Sequence, residues 1–248
     1  MWRYVMTTFG DQKEFWGHRE NPKLVGDFIN RPAVIRMIGD VKGKGILEAG
    51  CGSGYFASLL AQKGGIVWGI DKDTNILREA ERSNTLGIRY QPGCIERLPY
   101  DDDSFDVVTL TSVLMYNDSE VMREAYVQAW KGTKPGGRVI VSVPHPYLYL
   151  PGSMARSEDI SWLKLNSHGT SVERTEVFTQ EYFDIHGNSS VLDVYDHPTD
   201  DYVNFGLQAG LSLLRMESVK FPEELTKRSP GWGKTWGYDA YLLLEFSA

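Results

Sequence analysis

Three glycines spaced two apart, Gly50, Gly52 and Gly54, follow an apolar run that carries one acid, in the stretch "ILEAGCGSGYF". They lie between a predicted strand and a predicted helix, a placement that lets the backbone approach a ligand closely at a helix N-terminus. A dinucleotide site would need its third glycine at position 55, and Tyr55 stands there. Glu48, two residues before the first glycine, also disfavours a pyrophosphate, because the two anions would repel each other; a cationic amine suits it. A second acid, Asp71, closes the next apolar run 21 residues beyond Gly50, where a carboxylate in this architecture accepts hydrogen bonds from a ribose diol. A tight turn alone would account for the glycines but not for the two acids. A nucleoside with an ammonium-bearing tail and no phosphates satisfies both, and S-adenosylmethionine has that constitution.

Positioning these groups requires alternating strands and helices, and the first 143 residues supply them. "GILEAG" reads as a strand and residues 53–63 as an amphipathic helix; "GIVWGID" is a second strand, followed by the helix "TNILREAERSN" with Thr74 near its start. "IRYQPG" and "FDVVTLTSV" are the third and fourth strands. Asp118 caps the helix "SEVMREAYVQAWKG", which Gly132 ends, and "GGRVIVSVPHP" is the fifth strand, stopped by Pro144. Short connections between alternating elements predict an α/β fold with a parallel sheet covered on both faces. Residues 145–198 break the rhythm: they are rich in Tyr, Ser, Asp and Gly, and "VFTQEYFDI" and "SSVLDVYD" predict a hairpin around "HGN". This segment reads as an insertion, since it is short for a core of its own. A helix over "TDDYVNFGLQAG" and two strands, "LSLLRMESVKF" and "GYDAYLLLEFS", complete residues 199–248.

Four stretches, "LEAGCGSG", "GIDKD", "PGCIERLPYDDDSFDVV" and "WKGTKPGGRVIVS", occur in the order and at the spacing of the class I S-adenosylmethionine-dependent methyltransferases, and the chain resembles their small-molecule branch over roughly residues 40–143. The resemblance implies a Rossmann-like seven-stranded sheet of order 3-2-1-4-5-7-6 with the seventh strand antiparallel. It places Glu48 and Gly50 near the methionine amine, Gly52 and Gly54 against the cofactor backbone, and Asp71 on the ribose hydroxyls. Lys72 and Ile76 would flank the adenine. Cys94 stands where the family often has an acid that accepts from the adenine amine; the backbone of Ile95 remains able to read that edge, so altered affinity is expected. S-adenosylhomocysteine would be the product. One domain is expected over residues 1–248: an N-terminal helical lid (1–39) with Trp16 over the methionine portion, a cofactor core (40–143), a substrate-side insertion (145–198) and a C-terminal helix with strands (199–248). A helix start is predicted at Asn21 and Pro22.

The acceptor is sought at the carboxyl ends of the fourth and fifth strands, where Thr111, Ser112, Tyr116, His145 and Tyr147 fall. His145 is the lead candidate base because its pKa is expected near neutrality; the competing reading is a histidine packed between two prolines. His197, opening the last helix with Thr199, either lines the same pocket or supports the cap. "TLTSVLMY" lacks the Asn-Pro-Pro-aromatic box of amino methylation, and no acid stands at Thr111, where catechol-type enzymes of the family bind magnesium. A small organic acceptor and metal-independent transfer are therefore expected, with aromatic residues such as Trp2, Tyr4, Tyr149 and Trp162 available to line a pocket or to pack a lid. "DDDS" at 101–104 reads as a solvated turn rather than a metal site. A formal charge of −7 disfavours nucleic acid. No apolar run is long enough to span a bilayer, and the N-terminus lacks a signal-peptide pattern. Cys51 and Cys94 make no disulfide framework, which points to the cytoplasm. Oligomeric state is not legible. A cofactor-fold regulatory or assembly protein, and an enzyme acting on RNA or protein, are the alternative functions.

Overall fold

The computed structural model of the chain describes residues 29–146, 163–167, 176–183, 189–223 and 238–248. Ten strands and five helices are defined within them: α1 (Arg31–Ile38), β1 (Gly45–Ala49), α2 (Tyr55–Gln62), β2 (Ile66–Asp71), α3 (Thr74–Arg82), β3 (Arg89–Pro92), β4 (Phe105–Thr111), α4 (Ser119–Gly132), β5 (Thr133–Pro144), β6 (Leu163–Ser167), β7 (Glu176–Phe183), β8 (Ser189–Asp196), α5 (Thr199–Gln208), β9 (Ser212–Lys220) and β10 (Asp239–Ser247). Seven strands form one sheet in the order β3-β2-β1-β4-β5-β10-β9. With the three insertion strands left out of the count, this is the expected 3-2-1-4-5-7-6. Strands β1 to β5 pair in parallel, and β10 runs antiparallel to both β5 and β9.

The two sheet faces carry separate cores, and strand alternation assigns each residue to one of them. Leu47, Val108, Leu110, Val139, Val141, Val143, Leu242 and Leu244 pack against Met122, Ala125, Tyr126 and Ala129 of α4 and Tyr202 and Phe205 of α5. On the opposite face Ile46, Val67, Val107, Ile140 and Leu243 pack against Ala33, Val34, Met37 and Ile38 of α1 and Phe56, Ala57 and Leu60 of α2. Helix starts follow from local chemistry. Asp118 accepts from Val121 N–H at 2.9 Å to cap α4. α3 starts at Thr74, as expected, and Asp73 caps it, accepting from Asn75 N–H at 2.8 Å.

The insertion holds the expected β7–β8 hairpin, and β6 adds a third strand that the sequence pattern does not reveal. It joins the core through β8. Val194 packs with Met115 and Tyr116 of a 3₁₀ turn (Leu114–Tyr116) that follows β4. Of the expected lid over residues 1–39, the stretch 1–28 with Trp2, Tyr4, Trp16 and the helix start at Asn21 lies outside the described residues, as do Tyr147, Tyr149 and Trp162, while its last part is α1, packed into the core of the sheet. Among the described residues no helix is long and apolar enough to cross a membrane.

Helix α1 is fastened at its C-terminal end by a charged network. Arg138 of β5 donates to the carbonyl of Ile38 at 2.6 Å and pairs with Glu245 of β10 at 2.8 Å. Arg215 of β9 pairs with the other Glu245 oxygen at 3.1 Å and reaches the carbonyl of Met37 at 3.4 Å. Two guanidiniums therefore meet the negative end of the helix dipole, held there by one carboxylate. Glu245→Gln should leave both arginines short of their counter-charge and lower stability by roughly 1–3 kcal/mol, at the lower end of buried-pair losses because Arg215 is half exposed. Urea unfolding measures the loss, and hydrogen exchange should show it concentrated in the amides of 33–38. An unchanged midpoint with unchanged exchange would contradict the anchor.

Candidate functional site

The glycine loop is shaped by what lies beneath it. Gly50, Gly52 and Gly54 all have positive φ, at 80°, 53° and 74°, a region that costs other residues 1 kcal/mol or more, roughly. A Cβ at Gly50 would meet Val113 Cγ2 at 2.5 Å, and one at Gly54 would strike the Tyr90 hydroxyl. Gly52 differs: a Cβ there would meet only Ile76 Cδ1, at 3.8 Å. The outer two glycines are thus needed by the fold, while the middle one faces open space bounded by Ile76, as a close ligand approach requires.

Asp71 ties this loop to the next helix. Its Oδ2 accepts from Gly52 N–H at 2.9 Å and its Oδ1 from Asp73 N–H at 3.0 Å. Burial raises its pKa, opposed by those two N–H groups. Each carboxylate oxygen keeps a further lone pair, so the fixed carboxylate can still accept from a pair of hydroxyls. Lys72 is exposed and Ile76 buried at the start of α3. Cys94 is half-buried in a tight turn in which Arg97 N–H donates to its carbonyl, and Ile95 turns its side chain into the core.

Glu48 is the unusual group. It is buried on β1, projecting to the α1/α2 face between Leu47 and Ala49 on the other. Its Oε2 has no hydrogen-bond partner. Burial pushes its pKa up to about 8, with Arg31 and the Ala57 N–H pulling the other way and Asp71 adding to the rise. A buried acceptor without a donor costs roughly 1–3 kcal/mol. A ligand ammonium placed there supplies both the donor and the counter-charge. An orphaned carboxylate oxygen, an open glycine and a fixed second acid fit S-adenosylmethionine, and the buried carboxylate disfavours a phosphate beside it. Among the described residues no group of three His, Cys, Asp or Glu is arranged to hold a metal ion.

Residues that the motifs did not single out complete this face. Arg31, at the first turn of α1, lies over the Tyr55 ring at 5.1 Å from its centroid. Its pKa is lowered by burial and held up by Glu48, Tyr241 and Tyr55, in that order. Asn30 donates to the Ser112 hydroxyl at 2.8 Å, and Ser112 itself adopts φ 54° just past β4. Asn30 Oδ1, Thr111 Oγ1 and Ser142 Oγ are buried with no hydrogen-bond partner, and Thr111 and Ser142 are register partners across β4 and β5. Tyr241 of β10 packs on the α1/α2 face, and its pKa is raised by burial, with Arg31 opposing and Tyr116 adding. The available signals were slight: a serine inside the apolar run "VIVSVP", and the alternation that puts Tyr241 with Leu243.

The two histidines turn elsewhere. His145 extends the ladder of β5, donating its N–H to Ala240 O at 3.0 Å. Its Nε2 lies 3.1 Å from Ser218 Oγ on β9. Ser218 pairs with Leu242, whose side chain is in the α4/α5 core, so the buried imidazole lies on the sheet face opposite Glu48. Burial lowers its pKa, with Asp239 opposing. His197 is fully buried between Tyr195 and Tyr202, and its Nε2 donates to Asn117 O at 2.8 Å. It thereby supports the 3₁₀ turn that carries Tyr116.

Comparison with known proteins agrees with this geometry. Residues 47–141 match the family model described as a methyltransferase domain. The chain is 29% identical over 183 residues to a Mycolicibacterium smegmatis protein whose name describes an S-adenosylmethionine-dependent methyltransferase, covering 71% of this chain and 67% of that one. It is 33% identical over 101 residues to the malonyl-[acyl-carrier protein] O-methyltransferase of Erwinia billingiae, covering 41% of this chain but only 39% of that enzyme. This chain therefore spans well under half the length of that relative. The PH0226 protein of Pyrococcus horikoshii shares the fold, with a TM-score of 0.70 at 16% identity over 96% of this chain and 98% of that one. Residues 47–141 thus match a methyltransferase domain, and the relatives and sheet order agree with a class I S-adenosylmethionine-dependent methyltransferase, a family that uses S-adenosylmethionine as methyl donor.

Proposed function

We propose that the protein transfers a methyl group from S-adenosylmethionine to an O, N or C atom of a small organic acceptor. The observation that carries this reading is the buried Glu48 with its unpartnered oxygen beside the open Gly52. Glu48 and Gly50 would hold the amine, Gly52 and Gly54 the backbone of the tail, Asp71 the ribose, and Lys72, Ile76, Cys94 and Ile95 the adenine. When bound, the donor supplies an electrophilic methyl group on a sulfonium. The chain then has to orient the acceptor, exclude water and take a proton where the acceptor carries one.

Thr111, with its buried free hydroxyl, closes the donor side at the end of β4. Tyr116 is the residue we place first for the acceptor's proton, because it lies within electrostatic reach of Tyr241, which is in turn coupled to Arg31. His145 remains the second candidate: burial keeps its imidazole neutral near pH 7, as a base requires, though Ser218 already engages Nε2. The name of the Erwinia relative, a malonyl-[acyl-carrier protein] O-methyltransferase, supports an oxygen nucleophile.

Asp71→Ala should weaken S-adenosylhomocysteine binding at least tenfold by calorimetry, since roughly 1–3 kcal/mol follows each hydrogen-bonding group left unpaired. An unchanged dissociation constant would remove the ribose assignment. Glu48 gives a pH signature. Its pKa in the free protein is about 8, and a bound ammonium favours the carboxylate, so binding below that pH must expel a proton. Affinity should therefore rise from pH 6 to pH 8, by roughly tenfold or more, because each unit of pKa shift is worth about 1.4 kcal/mol. Glu48→Gln should bind more weakly and with a flat profile; a flat profile in the wild type would contradict the amine contact.

Turnover on an identified acceptor separates the two proton acceptors. Tyr116→Phe should lower kcat by roughly a hundredfold with cofactor affinity kept within a few fold. His145→Ala should lower turnover and thermal stability together if the imidazole serves the β5–β9 contact. A hundredfold loss of kcat in a fully stable His145→Ala would reverse the assignment.

A further inference from the structure

We propose that β9 is the contact surface for a second copy of this chain, the two strands pairing edge to edge about a two-fold axis at Met216. β9 ends the sheet, and among the described residues only β10 pairs with it. Its outer edge presents backbone N–H and C=O groups that another strand can take up. Leu214 and Met216 are more than half exposed there. Edge strands are ordinarily guarded by lysine, proline or a bulge. Here a bulge sets Leu214 outside the ladder near one end, and Lys220 closes the other. Residues 215–219, between them, contain no such guard, and their two charges, Arg215 and Glu217, are of opposite sign. Such a stretch repels a strand of either single charge less than it attracts its own copy.

Symmetry restricts the register. Residues paired across an antiparallel ladder share a face of the sheet. A two-fold axis normal to the sheet keeps every residue on its own face, so the axis passes through a residue position and never between two. An axis at 215 sets arginine against arginine, and one at 217 sets glutamate against glutamate. The axis at Met216 sets each Arg215 against a Glu217, twice over, with Leu214 opposite Ser218. Opposite charges placed directly across a ladder stabilise it, and like charges do the reverse. Within the chain Arg215 holds Glu245 and Glu217 holds Arg36, yet the Arg215 and Glu217 side chains stay 44% and 31% exposed. The contacts between copies therefore add to the existing pairs.

The helical layer favours the same axis. Met216 lies beside Leu244, on the α4/α5 side of the sheet. α5 packs on β9 and leaves Leu207 half exposed. The axis puts α5 of both copies on one side of a joined sheet, where Leu207 and Met216 of each supply apolar surface. A few strand residues are a small part of the roughly 20–30 residues a side that a stable interface uses, so the dimer should depend on concentration, with a dissociation constant roughly in the micromolar range. Pairing stiffens a strand on which both sheet faces rely: Arg215 reaches the carbonyl of Met37 in α1, and Ser218 contacts His145, where the insertion begins.

Sedimentation equilibrium of the full chain tests the contact, independently of the donor assignment. The wild type should pass from monomer to dimer as its concentration rises. Met216→Lys sets two like charges across the axis and should weaken association roughly tenfold or more, with the thermal midpoint unchanged because the side chain is exposed. Register has its own readout. Directly opposed residues have Cα atoms about 4.5–5.5 Å apart, within disulfide reach. Oxidised Met216→Cys should give a covalent dimer on a non-reducing gel above the level of the wild type, which retains Cys51 and Cys94. Leu214→Cys should not, since its copy lies four residues away along the ladder, roughly 13 Å. A wild type that stays monomeric up to about 1 mM overturns the proposal. So does a dimer that Met216→Lys leaves as tight as before, or one that Leu214→Cys locks as readily as Met216→Cys.

Discussion

A carboxylate buried at the end of the central strand, with one oxygen unsatisfied, is the constraint around which this protein is arranged. β1 lies in the middle of the sheet, flanked by β2 and β4, and Glu48 is buried there. A charge in that position is tolerated when something nearby compensates it. Within the chain the compensation is partial: Arg31 and one backbone N–H oppose the effect of burial and do not overcome it. The remainder is a cost that a cationic ligand placed there would relieve. Asp71, itself pushed towards protonation by burial, adds to the negative field, and the open side of Gly52 leaves room for the ligand between the two acids.

Rigid surroundings keep that arrangement in place. Val113 under Gly50 and Tyr90 under Gly54 leave the loop no inward movement, and the Tyr90 hydroxyl donates to Gly54 O at 3.3 Å. Asp71 fixes the middle of the loop and the start of α3 through a single carboxylate. Across the sheet, Glu245 holds two arginines that hold the end of α1. Sites built on regular elements keep their geometry better than sites built on loops. Here the one necessary loop is locked from below and α1 from its far end.

What the sequence disclosed divides along the same line between local and distant. The glycine spacing, Glu48 and Asp71, the caps and the strand alternation are each encoded within a few residues, and periodicity is enough to find them. Asn30 is separated from Ser112 by about eighty positions, and Arg31 from Tyr241 by still more, so only the assembled sheet brings these residues together. β6 escaped because "LKLNS" is short and sits in a segment with no clear alternation. The position of His145 at a strand end was legible. Its direction was not, since the face is decided by parity with Val143 and by a partner on β9.

That parity has a chemical consequence for how the two halves of the site divide the work. The α1/α2 face carries Glu48, Arg31 and the unpartnered hydroxyls of Thr111 and Ser142. The α4/α5 face carries His145, and through His197 it props the turn that bears Tyr116. Tyr116 belongs to both: it packs with Val194 of the insertion and interacts electrostatically with Tyr241 on the donor face. A side chain at that junction is the one whose position depends on the insertion, the edge of β4 and the donor-side charges at once. Changing the insertion would then alter the acceptor site through Tyr116 while leaving Glu48, Asp71 and the glycine loop in place. A single donor site can in this way serve different acceptors, because fold and function are separable at the sheet edge.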